Sequence, residues 1–234
     1  MYKAILFDLD GTLLPMDNDE FTKGYLGMLS RAVAHLGYTP DTMIPAMWQG
    51  VAAMVKNDGT RRNCEVFWQV FSDLLSRDVT ADIPHFDAFY SDGFHKAKAY
   101  TQPTPYARAA VDAARAKSPR VVLATNPFFP PVAVFSRMGW AGLAQDDFDL
   151  VTHYENSGSC KPNPYYYTEI AQKLGVSPAE CLMIGNNVDE DILAARAAGM
   201  DTFLLTDCLI GDAARVPDTK QGSFPELLDY LKSL

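Results

Sequence analysis

The stretch Lys3-Ala-Ile-Leu-Phe-Asp8-Leu-Asp10-Gly11-Thr12 constrains this chain more than any other. Its apolar run, Ala4 to Phe7, shows no polar alternation, which is the pattern of a strand covered on both faces within a parallel sheet. Two carboxylates one residue apart end the run, and a glycine follows. In open sheets of this kind ligands bind beyond the carboxyl ends of the strands, where Asp8 and Asp10 fall. Two negative charges that close need a cation, a shared proton or strong donors to coexist. Gly11 lets the backbone turn away sharply so that a ligand can approach. A strand that only builds a core has no use for such an ending.

Charge and composition narrow the classes of function. The net charge of −9 over 234 residues disfavours non-specific binding of nucleic acid. No apolar run reaches the ~18 residues of a membrane span, and the N-terminus enters a strand directly. Neither a membrane segment nor a signal peptide is therefore expected, and the expected location is cytoplasmic. Cys64, Cys160, Cys181 and Cys208 lack CxxC spacing and fit reduced thiols better than a disulfide framework or a zinc site. The four histidines are equally scattered.

After Leu14 the pattern changes to helical periodicity, from about 17 to 100. Phe21, Tyr25, Met28, Leu29, Val33 and Leu36 form one apolar face, closed by Gly37. A second helix is expected over Pro40 to Lys56. A third, capped by Thr60, carries Phe67, Trp68 and Phe71, and a fourth runs from about Pro84 to Tyr100. Their aromatic stripes are read as core. A β/α rhythm resumes beyond the linker 100–105. Helices are expected at Tyr106 to Lys117, Pro131 to Met138, from Asn163-Pro164 to Gly175, and Asp189 to Ala198, with a last one from Ser223. Strands are expected at Arg120 to Thr125, Asp149 to Thr152, Cys181 to Gly185 and Thr202 to Thr206. Alternating strands and helices imply a doubly wound, Rossmann-like α/β core with a parallel sheet, over about 1–16 and 101–234. The all-helical block at 17–100 is then an insertion above its carboxyl edge.

Four groups of residues recur at expected strand ends: Asp8-x-Asp10-Gly-Thr12, Thr125-Asn126, Lys161-Pro162, and Gly185-Asn-Asn-Val-Asp-Glu-Asp191. In this order, with a helical insertion after the first, the chain resembles the haloacid dehalogenase-like superfamily, in its phosphatase branch with a helical cap. The resemblance implies that Asp8 attacks phosphorus to form an aspartyl-phosphate. It also implies that Asp10 serves as general acid and then base, while its backbone carbonyl binds metal. Thr125, Asn126 and Lys161 would hold the phosphate, and Asp8, Asp10, Asn186 and Asp191 would surround Mg²⁺. Such chemistry is physically sound, since a carboxylate can attack phosphorus once its repulsion from the phosphate is neutralised.

Asn186 departs from the family, which commonly places a metal-binding Asp there, so weaker metal binding is expected, with Asp191 compensating. The expected function is Mg²⁺-dependent hydrolysis of a small phosphorylated metabolite by a monomer or homodimer. Alternatives are a phosphomutase or phosphonatase of the same superfamily, or a catalytically weak protein that binds a phospholigand. Lys56, Arg61 and Arg62 flank the loop at 57–59 and could grip a second anionic group, or could be a solvated helix end. Nothing around Lys56 suggests the apolar burial a Schiff-base lysine needs. Phe128, Phe129 and Trp140 are expected to pack rather than to meet substrate.

Overall fold

A computed structural model describes residues 1–234. Six parallel strands form one sheet in the order β3-β2-β1-β4-β5-β6, with β1 (Ala4–Phe7) near its centre. The neighbours of β1 are β2 (Val121–Leu123) and β4 (Cys181–Gly185), in registers that pair Phe7 with Leu123 and with Ile184. Every residue of these three strands is buried, which explains their uniformly apolar sequences. β3 (Leu150–Val151) and β5 (Asp201–Leu205) extend the sheet on either side. The outer strand β6 (Lys220–Gly222) was not expected; two of its three residues are exposed, so no apolar run marks it. Because the order reverses at β1, the loops after β1 and β2, and after β1 and β4, diverge and leave a crevice at the carboxyl edge.

Between β1 and β2 lie α1 (Asn18–Val33), α2 (Pro40–Val55), α3 (Asn63–Leu75) and α4 (Ile83–Ser91), then a 3₁₀ segment Gly93–Tyr100 and α5 (Tyr106–Lys117). The inserted chain leaves and returns side by side: Met16 pairs with Thr101, and Gln102 N–H donates to Pro15 O at 2.8 Å. α1 begins where Asp17 accepts from the N–H groups of Asp19 and Glu20, and its terminal turn ends at Gly37 with φ 87°. Thr60 does not cap α3. Its N–H and hydroxyl both bond to Asp58, and the helix starts after Arg62, whose N–H is held by Glu65 at 2.9 Å. The expected fourth helix breaks at Asp92 into α4 and the 3₁₀ segment.

The remaining helices are α6 (Pro131–Trp140), α7 (Pro164–Leu174), α8 (Ala194–Ala197) and α9 (Phe224–Ser233). α6 continues through Gly139, since the positive φ needed to leave the helix falls at Gly142 instead. Asn163 caps α7 and Gly175 ends it with φ 67°, as the sequence indicates. The expected helix 189–198 is really a π-turn, Val188–Leu193, leading into α8. A single hydrophobic cluster runs from the sheet (Ile5, Phe7) into the inserted helices (Phe21, Phe71, Phe94).

Candidate active site

Three loops bring charge to the floor of the crevice. Lys161, fully buried, donates from Nζ to Asp8 Oδ1 at 2.8 Å and to Asp191 Oδ1 at 2.7 Å. Burial opposes the lysine's charge, but Asp191 and Asp8 outweigh it and hold the ammonium protonated well above its ordinary range. Burial also raises the pKa of Asp191, with the nearby Asp8 adding to the effect and Lys161 opposing it. Asp191 stays in place because its Oδ2 accepts from Asn187 N–H at 3.0 Å. The π-turn aims it: the N–H groups of Asp191 and Ile192 both reach Asn187 O, a widened turn of the kind found at functional sites. Gly185 makes room, since a Cβ there would lie 2.2 Å from Asp191 Oδ2.

Asp10 meets a partner that nothing in the sequence motifs announces. Arg137, fully buried on α6, pairs with Asp10 Oδ2 and lies over the Phe129 ring, 4.2 Å from its centre. Burial raises the pKa of Asp10, and the guanidinium pulls against it. The other oxygen, Asp10 Oδ1, is buried without a partner, as is Arg137 Nη2. The one available signal was an arginine on the apolar stripe of α6, beside Ala133, Val134 and Met138.

Thr125 is fixed through its backbone, whose carbonyl accepts from Thr152 Oγ1 at 2.7 Å and Tyr166 OH at 2.9 Å. Asn126 donates to Glu190 Oε2 at 3.0 Å, and its Oδ1 is buried and unpaired. Glu190, whose pKa burial raises, is a second site residue that the sequence motif does not single out. Asn186 is committed on both sides of its amide: Oδ1 accepts from Thr12 Oγ1 at 2.9 Å, and Nδ2 donates to Cys208 O at 2.6 Å. Gly11, at φ 82°, allows this contact, because a Cβ there would sit 2.4 Å from Asn186 Nδ2.

Asp8, Asp10, Thr125, Asn126, Asn186 and Asp191 all line one cavity of about 240 Å³. The sequence-selected site residues therefore converge, with Lys161 just beneath. The cationic loop does not join them. Arg61 and Arg62 line a separate polar cleft with Glu65, Glu155 and Glu169, and Lys56 is exposed. The expectation that aromatic residues only pack needs correcting too: Phe128 and Phe129 line the cavity, as do Phe67, Trp68 and Phe86 of the insertion. Trp140 does pack, against Phe21 and Phe94.

The family model for haloacid dehalogenase-like hydrolases matches residues 2–199. The chain belongs to that family. Among curated relatives it is 28% identical to glyceraldehyde 3-phosphate phosphatase of Methanopyrus kandleri, over 100% of this chain and 99% of that one. It is 27% identical to phosphoglycolate phosphatase of Nitrosospira multiformis, over 86% and 82% of the two chains. Among solved structures, 2-haloacid dehalogenase of Pseudomonas syringae pv. Tomato shares the fold with a TM-score of 0.64 at 23% identity, over 98% and 99% of the chains. The HAD-hydrolase YfnB of Bacillus subtilis, bound to magnesium, does so with a TM-score of 0.61 at 20% identity, over 100% and 99%. The parallel sheet with a helical insertion after β1 is thus the haloacid dehalogenase-like fold.

Proposed function

We propose that the chain hydrolyses a small phosphomonoester with Mg²⁺ through a phosphate ester of Asp8, the helices at 17–100 acting as a cap. It is a phosphatase of the haloacid dehalogenase-like family, as its curated relatives are. The observation that carries the finer reading is the ion-paired floor, where Lys161 joins Asp8 to Asp191 at the end of the central strand. A buried cation there offsets the charge of an incoming phosphate, which a bare pair of carboxylates would repel.

The donor types suit Mg²⁺, and their partners in this arrangement are Lys161, the Asn187 N–H and Thr12. Asp8, Asp10, Glu190 and Asp191 line the cavity against two paired cations, Lys161 and Arg137. Ionised, the four carboxylates leave an excess of two negative charges. Asp8 and Asp191, with the Asp10 carbonyl and the Asn186 amide oxygen, would hold the ion, which needs only one or two carboxylates beside its waters. Bound there, Mg²⁺ would neutralise phosphate oxygens as they approach Asp8.

In the first step a carboxylate oxygen of Asp8 attacks phosphorus, the bond to the alcohol oxygen breaks, and Asp10 supplies that oxygen's proton. In the second, Asp10 takes a proton from water as the water oxygen attacks phosphorus and frees Asp8. Asp10 must therefore exist in both protonation states. Its surroundings favour this, since burial promotes the acid while Arg137 promotes the carboxylate. Phosphate oxygens would find the Thr125 hydroxyl and neighbouring backbone N–H groups, donors suited to charge spread over equatorial oxygens.

Release of inorganic phosphate from a phosphomonoester panel tests this. Turnover is expected with Mg²⁺ and its loss after chelation. Asp8→Asn is expected to lower kcat by at least about a thousandfold, ~4 kcal/mol of barrier. An Asp8→Asn protein as active as the wild type would remove the phospho-aspartate. A wild-type protein that binds phosphate esters but never cleaves them would favour the binding-protein alternative raised by Asn186.

A further inference from the structure

The cavity above the charged floor differs sharply from the floor itself. Its roof and walls come from the inserted helices and the loop after β2, with Phe21, Met47, Trp48, Phe67, Trp68 and Phe86 among them. Thirteen of the 24 residues that line it are hydrophobic, and no lysine, arginine or histidine is among the lining residues. The two cations beneath are already taken: Lys161 bridges Asp8 and Asp191, and Arg137 holds Asp10. The cationic residues of the 57–62 loop face a different cleft, in the company of three glutamates. On the roof the polar groups are neutral, among them Asn18, Thr22 and the hydroxyls of Tyr25 and Tyr90. Trp48, half-exposed at 51%, also lines the cavity and so stands where it opens to solvent.

We propose that this cavity selects a phosphomonoester whose alcohol half is uncharged and apolar, aromatic or branched aliphatic, over one carrying a second anionic group. The inference rests on the phosphatase reading and gives it a substrate class. Apolar and aromatic walls recover free energy by burying an apolar group. A carboxylate or second phosphate in the same space would lose its hydration among apolar walls that offer no free cation to pair with it. The relatives named for phosphoglycolate and glyceraldehyde 3-phosphate act on compact polar esters; the wall described here is built for a different leaving group. Its volume, below the ~300 Å³ common for ligand sites, limits that group to about one ring or a short branched chain.

With Mg²⁺ present, kcat/KM for benzyl phosphate is expected to exceed that for phosphoglycolate and for glycerol 3-phosphate at least tenfold. Equal values, or a preference for phosphoglycolate, would overturn the substrate class while leaving the phosphatase intact. Val51→Arg, which puts a cation on a half-buried position of the wall, should reduce the ratio of benzyl phosphate to phosphoglycolate at least tenfold. An unchanged ratio in a protein that melts like the wild type would count against the cavity as the discriminating element. Binding gives a second measurement independent of turnover: benzylphosphonate should bind at least tenfold more tightly than phosphonoacetate. If no ester is cleaved at all, the phosphatase reading falls, and this comparison alone decides the substrate class, with tighter phosphonoacetate binding refuting it.

Discussion

Asp10 and Arg137 form the pair whose chemistry is most exposed to substitution. Arg137 is wholly buried and the Asp10 side chain is 23% exposed, so removing one partner leaves the other charged in a poorly solvated place. Breaking such a pair costs about 3 kcal/mol or more, whereas removing both charges costs much less. Arg137→Met is therefore expected to lose about 3 kcal/mol of stability in urea unfolding, and adding Asp10→Asn to recover at least about 1 kcal/mol. Strictly additive losses would mean that the two side chains do not depend on each other. Asp8 is legible as the end of a buried apolar run, whereas Lys161 and Asp191 are legible only through their place in the order of motifs that the chain shares with its family. Arg137 is not, because it lies mid-helix on an apolar stripe and far from any motif. Only the oddity of a charge on that stripe hinted at it.

At the scale of elements, strands buried on both faces announced themselves as apolar runs, so β1 and β4 were found with their observed bounds. The half-exposed β6 carried no such run. Periodicity could not distinguish a π-turn from an α-helix over Val188–Leu193, since one widened turn shifts the register of a short segment without erasing its apolar positions. That turn, with the strand end before it, decides how Asn186 behaves. Its amide donates to Cys208 O and so ties the loop after β5 to the loop after β4. Asn186→Asp exchanges that donor for a carboxylate facing a carbonyl oxygen, while turning a neutral candidate ligand for Mg²⁺ into a charged one. Without Mg²⁺ the variant is expected to melt below the wild type, the loss of one hydrogen bond with its partner left unpaired costing about 1–3 kcal/mol. Added Mg²⁺ should then raise its melting temperature more than it raises that of the wild type. Equal Mg²⁺-dependent shifts would show that position 186 does not govern affinity for the ion.

The helical insertion and the sheet share more than a crossing point. The N–H groups at the start of α3 are satisfied by the opposite unit: Asn63 N–H donates to Ser157 O at 2.9 Å and Cys64 N–H to Tyr154 O at 3.0 Å. Asn63 Nδ2 donates to Ser159 O at 3.1 Å, next to the segment that carries Lys161, and Asn57 Nδ2 holds Asn63 Oδ1 at 2.9 Å. The apolar cluster is continuous across the same boundary. By spacing alone the aromatic stripes of α1, α3 and α4 read entirely as core, yet part of each lines the cavity. A helix face that lines a cavity and one that packs solid have the same apolar spacing, so only the fold tells them apart.

A chain of this length with an inserted unit would ordinarily unfold in steps. The shared cluster and the buried asparagines instead predict that it unfolds as one. Fluorescence reports on Trp48 and Trp68 of the insertion and on Trp140 of α6, and far-ultraviolet circular dichroism on the whole chain, so their urea transitions should coincide. Asn63→Ala removes a fully buried amide, leaving Ser159 O without its donor and Asn57 Nδ2 with only Arg61 O, which should lower stability by about 2–3 kcal/mol. Because Ser159 and Cys160 lead directly into Lys161, the same variant should also lose turnover. If the two transitions separate in the wild type, the insertion is an independent unit that Lys161 does not sense. If Asn63→Ala leaves kcat and KM unchanged, its bonds hold the two parts together without positioning the lysine.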